Sequence, residues 1–537
     1  MNKLLFIYLI LGLLGLGACN KEFDFIKPLP NLTFVRGVEA KFGPRGTLVR
    51  IRMDLQAGNQ LGSLKVSESI EGADFSEVET ITSFEEDFRV PEFAYSYLVD
   101  TLQYPSLADG DKIQLKFELA DRVGNVSNPL IFDITVGGTF IVREENINGT
   151  TVTAIRRPQG AALTLINDEE FVFESGQKYL IQGIIEIEEG LTVRIQPGAE
   201  IYAETGGGEL AVFRVPAGAR LEAEGTANAP IVFTSDKVLK GEMPQPGDWQ
   251  GLEVFGNSVI NAVTSESPAP EDDSGIFQYI RVEYGGSSAT EPGNREANIR
   301  FVNVGAGTHI QYVQSFKSDE IGIRFNGGNA RAKYLVVTDP SEHAYRLDDV
   351  EGSPFRGLGQ FWITENSGIN YAEEDLRIDD GAGATLSNLT FLGPGQGSGF
   401  GNDMARVRDD AQFYKIFNSI VAEYPGYAFR AQNSPAPTNL NGDNVVGHSY
   451  FFAISGDIFR DNAGSLNQAQ FNNTIGVAIA GIAINQYVPD ATVASTFDPS
   501  QLEAWFSPAL FVGAIANASQ DWTANGTWCK NPDGSIR

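Results

Sequence analysis

Cysteine is nearly missing from this chain, which holds only Cys19 and Cys529 among 537 residues. Two thiols cannot build the dense disulfide framework by which small exported domains make up for a thin core, so stability must come from burial. Histidine is equally scarce. His309, His343 and His448 lie far apart, and no H-x-x-x-H spacing is present, which excludes the helical zinc motif. Cations are outnumbered, with 39 Lys plus Arg against 69 Asp plus Glu and a formal charge of −30. Such a surface repels nucleic-acid phosphates and anionic headgroups, so no nucleic-acid partner is expected, and a polyanionic glycan would need calcium as a bridge. The plainer reading is that the acidity keeps the protein soluble. The apolar stretch Leu4–Ala18 is too short to span a bilayer, which takes about 20 residues.

What is present begins with that stretch. Residues 1–18, with Lys3 ahead of the apolar run, read as a secretory signal. Its ending, Leu16-Gly17-Ala18-Cys19, resembles the bacterial lipobox. The resemblance implies cleavage before Cys19, a diacylglyceryl thioether on its thiol and acylation of its new amine. The protein would then be held to the outer membrane by several acyl chains rather than by a span. Residues 19–30 form a tether. Its first members, Asn20-Lys21-Glu22-Phe23-Asp24, resemble the acidic signal that sends some lipoproteins to the cell surface, and a cell-surface location is expected.

From residue 31 to 137 the pattern has period two. Val49, Ile51, Met53 and Leu55 alternate with Arg50, Arg52 and Asp54, and Ile113, Leu115, Phe117 and Leu119 with Gln114, Lys116 and Glu118. Alternation of this kind marks strands buried on one face. The Asp121-Arg122-Val123-Gly124-Asn125 turn resembles that of bacterial immunoglobulin-like modules, which implies an immunoglobulin-like β-sandwich acting as a spacer. Residues 138–164 read as a linker.

Beyond it the texture changes to short strands punctuated by Gly, Pro, Asn and Asp. Val193–Ala199 returns as Val215–Leu221, placing Gly198 and Gly218 twenty residues apart, a spacing that suits one coil of a solenoid. A second repeat has an apolar residue or Tyr, then Arg, then paired Asp or Asn. It runs through Ile323–Asn326, Tyr345–Asp349, Leu376–Asp380, Val407–Asp410 and Phe459–Asn462, with Phe429–Asn433 as a looser copy. With Ile195–Ile201, Trp249–Asn257, Ser274–Tyr284 and Asp521–Ala524, these stretches resemble the right-handed parallel β-helix lipoproteins of bacteria. The resemblance implies an all-β chain: the sandwich followed by a right-handed parallel β-helix over 165–537. Pro244–Gly247, Ser265–Gly275 and Gly285–Asn294 read as extruded loops. Pro499–Phe506 has helical composition and, with Trp522 and Trp528, is expected to cap the open edge of the last coil.

Three kinds of chemistry are open to such a solenoid. The pairs Asp348-Asp349, Asp379-Asp380 and Asp409-Asp410 would stack at one corner, where calcium could neutralise them. The competing reading gives that task to a ladder of Arg346, Arg377 and Arg408, and no D-x-D-x-D-G loop supports calcium. For a polysaccharide hydrolase, only Gly447-His448-Ser449 approaches the needed His turn and no N-T-D accompanies it; a calcium-assisted lyase would draw on the Asp and Arg ladder. For glycan binding, Trp249, Tyr284 and Trp362 are the candidate solvent-facing aromatics, while most Phe and Tyr are expected inside as stacks. The favoured expectation is a lipid-anchored binding scaffold for a polysaccharide or an outer-membrane protein partner. A structural part of an outer-membrane assembly is the third alternative.

Overall fold

A computed structural model describes residues 27–35, 39–43, 48–100, 102–108, 110–138, 140–158, 163–287, 296–367, 373–398, 403–408, 410–432, 442–461, 464–465 and 471–537. The signal stretch, Cys19 and Asp409 lie outside the described residues. The chain separates into two compact units, Met1–Gly138 and Thr139–Arg537. Among the described residues, no helix is long and apolar enough to cross a membrane.

In the first unit the alternating segments form two sheets over one core. Asn31–Phe34, Leu48–Gln56 and Arg89–Leu98 make a three-stranded antiparallel sheet, and Ala40–Gly43, Leu130–Val136, Lys112–Asp121, Leu61–Ile70 and Ser76–Ile81 a five-stranded mixed sheet whose first pair is parallel. Val49, Ile51, Met53 and Leu55 from one sheet and Ile113, Leu115, Phe117 and Leu119 from the other are buried, as the alternation requires. The turn after Asp121 closes as its residues suggest. Val123 and Asn125 donate their backbone N–H groups to Asp121 Oδ1 at 3.1 and 2.8 Å, and Gly124 supplies a φ of 95°.

The second unit is a parallel β-helix. The segment read as a linker instead opens it: Ile141–Ile147 and Thr150–Arg156 form a hairpin whose second strand pairs in parallel with Lys178–Ile181. Each coil then gives one strand to each of three faces. Ile184–Ile187, Thr192–Ile195 and Glu200–Ala203 make one coil, and they pair in parallel with Val212–Val215, Arg220–Glu224 and Ile231–Ser235 of the next. We call these, in chain order, the arginine face, the groove face and the covered face. The register corrects the twenty-residue repeat. Val193 pairs with Leu221, while Gly198 turns the chain from groove to covered face and Gly218 from arginine to groove face. The P-G-A and P-A-G-A motifs mark different corners, each turned by a glycine of positive φ, 79° and 87°.

Inside, stacked side chains fill the solenoid. Tyr345 and Phe325 lie on Trp362 with ring centroids 4.7 and 5.8 Å away. From the coil of Tyr279 onward, the chain kinks between groove and covered faces at a non-glycine residue: Tyr279, Tyr312, Tyr334 and Phe361 all take left-handed φ values of 50° to 62°. Each kink costs roughly 1 kcal/mol or more. The rings recover part of it by stacking at 4.4, 4.4 and 5.0 Å. Asn388, Asn418 and His448 are the left-handed residues of later coils.

The C-terminal segment does not cap the last coil. It runs back along the covered face, where Val512, Ala514, Ile515 and Trp528 bury the outward Val336, Ile363, Leu392 and Ile420. Arg281 Nη1 donates to Trp528 O at 2.7 Å and Asn418 Nδ2 to Phe497 O at 3.0 Å, so the strap is fixed to early and late coils alike. Trp522 and Trp528 stand edge-on against Tyr334 and Tyr279. The helix expected near Pro499 is one 3-10 turn, Pro499–Gln501, with Asp498 accepting from Ser500 N. Flank packing dictates the path of this segment, overriding its weak helical preference.

Candidate functional site

One register position of the arginine face is occupied in successive coils by Arg300, Arg324, Arg346, Arg377, Arg406, Arg430 and Arg460. Their strand neighbours Ile323, Phe325, Tyr345, Leu347, Leu376 and Ile378 belong to the core, so alternation turns the guanidiniums outward. Rungs about 4.8 Å apart would repel without intervening negative charge. Acids supply it. Arg324 and Arg346 share Asp348 at 2.7 Å each, and Arg346 and Arg377 reach Asp379 at 3.4 and 2.7 Å. Arg377 and Arg406 flank Glu374 at 3.5 Å, and Arg406 and Arg430 approach Asp403 at 3.3 and 3.8 Å. The ladder member in the fifth of these coils is Arg406 rather than Arg408, because Leu376 pairs with Ala405; Arg408 lies two residues on, its Nε 3.7 Å from Asp379.

This arrangement accounts for the acidic pairs. Asp348, Asp379 and Asp380 each offer an oxygen within 4.8 Å of the others, a spacing that could hold a cation. Asp348 and Asp379 are nevertheless fully buried among guanidiniums, which already supply the countercharge. Burial, opposed by Arg346 and Arg377, pushes the Asp379 carboxyl up to about 6. Asp349 shapes a turn by accepting from Gly352 N at 2.9 Å. Asp349, Asp380 and Asp410 do come together, lining a cleft of about 210 Å³ with Arg356 and Gln412. Arg356 donates there to Phe355 O and Gly381 O at 2.9 and 2.7 Å, and burial lowers its pKa to about 10. A second ligating trio, His343, Glu373 and Glu374, lies beside the ladder. Arg377 Nη1 stands 3.3 Å from His343 Nε2, 3.1 Å from Glu373 and 3.5 Å from Glu374, in the position a metal would take.

The aromatic candidates do not form a platform. Trp249 and Trp362 are fully buried, donating Nε1 to Glu283 O at 2.8 Å and Ala332 O at 3.0 Å, so the expectation that they face solvent is wrong. Interior stacking and a backbone partner inside the coil satisfy both ends of the indole. Tyr284 is half-buried against Phe316, and burial pushes its hydroxyl up to about 12. His448 stacks on Phe497 at 5.1 Å, with Thr496 and Asn472 at 3.4 Å from its nitrogens.

A cleft of about 460 Å³ opens instead on the groove face. Arg194, Gln196, Glu222, Glu224, Thr226, Gln278 and Tyr279 line it. In Arg220–Glu224, Leu221 and Ala223 enter the core, so Arg220, Glu222 and Glu224 point outward. Parallel pairing places Arg194 beside Glu222, 2.8 Å from Nε to carboxylate, and Glu224 beside Gln278. Gln278 Oε1 lies 3.0 Å from His309 Nε2. Tyr279 forms one wall, held by its stack on Tyr312 and by Trp528 of the strap. Near the same wall, Thr527 N donates to Ala227 O at 2.7 Å. The site therefore offers amide, carboxylate, hydroxyl and aromatic surfaces on rigid strands, a combination suited to polyhydroxylated ligands. Sequence reasoning missed it, although the period-two run Arg220-Leu221-Glu222-Ala223-Glu224 carried the signal.

A search among curated proteins matches none to this chain. A family model described as a pectate-lyase like beta helix domain matches residues 164–483, more than half of the sequence and nearly all the coils described above, and the chain belongs to that family.

Proposed function

We propose that the protein is a lipid-anchored, cell-surface binding protein that holds a polysaccharide in the groove lined by Arg194, Glu222, Glu224, Gln278 and Tyr279. The groove itself carries this reading: it is a cleft of about 460 Å³ whose lining can donate to and accept from sugar hydroxyls, with Tyr279 as an aromatic wall. In this groove, binding is favoured over cleavage by the state of the arginine that lines it. A lyase needs a Lys or Arg able to take a proton, and Arg194 is engaged by Glu222. The signal stretch and Cys19 support the anchor, whose acyl chains would give firm attachment.

Affinity gel electrophoresis of the full chain through gels holding single polysaccharides tests the groove. Gln278→Ala should weaken retardation about tenfold in Kd, the worth of one lost hydrogen bond. Unchanged retardation would remove the groove from consideration. Cys19→Ser should shift the protein from the membrane to the soluble fraction.

A further inference from the structure

The groove face carries charge, and its bookkeeping is one-sided. Arg194 meets Glu222 at 2.8 Å, Arg220 meets Asp273 at 2.9 Å, Arg331 meets Glu503 at 3.0 Å and Lys415 meets Asp443 at 3.3 Å. Arg356 is committed to backbone carbonyls, and Lys333 is buried, donating to Trp505 O and Ser507 Oγ at 2.7 and 2.9 Å. Each described Lys and Arg of this face thus already has a carboxylate or carbonyl partner. Glu224, by contrast, is exposed on the groove wall beside Gln278. His309 adds no positive charge at neutral pH, since burial lowers its pKa further.

From this pairing we infer that the groove takes an uncharged polysaccharide and excludes polyuronates, an inference that rests on the groove being the glycan site. A uronate carboxylate entering the cleft would meet Glu224, while the guanidinium in the lining, Arg194, already faces Glu222 at 2.8 Å. Recognition falls to Gln278, Gln196, Thr226 and the two glutamates, which bond to hydroxyls without needing a ligand charge. One like-charge contact at 4 Å in a water-like medium corresponds to about fivefold in affinity, and the formal charge of −30 adds to it at longer range.

The test compares retardation of the full chain by xylan, mixed-linkage β-glucan and galactomannan with retardation by polygalacturonate, at low salt with EDTA present. At least one neutral gel should retard the protein in a way that Gln278→Ala weakens, while polygalacturonate should leave it at least fivefold less retarded. Glu224→Lys, with its fold checked by circular dichroism, should gain salt-sensitive retardation by polygalacturonate. Retardation of the natural chain by polygalacturonate as strong as by any neutral gel, and sensitive to Gln278→Ala, would overturn the inference while leaving the groove as a glycan site. Absence of retardation by every gel, or retardation indifferent to Gln278→Ala, would instead defeat the glycan reading beneath it.

Discussion

The arginine face and the groove face are built on the same coils and both display ions, yet the ions serve opposite ends. On the arginine face, Arg377 and Asp379 are 3% and 0% exposed and locked into a continuous column. On the groove face, Arg194 and Glu222 pair at the surface, 60% and 26% exposed, beside open volume. Density of charge is therefore a poor guide to a binding site in a solenoid. A repeated ion in register is first a requirement of stacking, since each coil must neutralise the one beneath it. The site is found where the surface recedes into a cleft.

The sharpest way to break this contrast is to delete one partner on each side. Asp379→Ala takes a shared carboxylate from Arg346 and Arg377 in a buried column and should cost about 3 kcal/mol in chemical denaturation. Glu222→Ala removes a solvent-screened pair and should cost under about 1 kcal/mol. Equal losses would show the two faces to be alike. A pH series sharpens the contrast further. Burial pushes Glu374 up to about 7 and Asp379 up to about 6, and the fully buried Glu365 beneath the strap up to about 7. Folded-state values above the unfolded ones mean that the native state binds more protons, so the stability these three groups contribute is complete below about pH 4 and is lost as pH rises through 6 to 7. The midpoint of thermal unfolding should drop across that window for the second unit, and Glu374→Gln should flatten the drop. The smallest effect belongs to chelation. With guanidiniums supplying the countercharge to Asp348 and Asp379, EDTA should leave the thermal midpoint unchanged; a rise on adding calcium would reassign the Asp pairs to a metal.

Much of the solenoid was legible because its determinants are local. The Arg–Asp repeat announced a rung in register, and the alternation in 31–137 announced two-sided strands. The frame slipped at Ala405-Arg406-Val407-Arg408, where two arginines compete for one rung and the following aspartates favoured the wrong one. Trp249 and Trp362 were misplaced for a different reason: period two says which residues share a side of a strand, never which side is the interior. The groove was hidden because its lining comes from strands at 194, 222 and 278, brought together only by coil register. The strap was illegible as such, since its apolar residues seek partners on coils roughly 80 to 250 residues back.

That strap also sets an order of events. Its bonds from Arg281 to Trp528 and from Thr527 to Ala227 join positions roughly 250 to 300 residues apart, contacts that carry a heavy loop-closure entropy and form late. The coils can assemble rung upon rung through neighbours, but the strap can seat only on a flank already complete from the coil of Tyr279 to that of Asn418. Its docking is thus a proofreading step: a solenoid with a slipped register would present Tyr312, Tyr334 and Phe361 out of line and leave Trp522 and Trp528 without their seats.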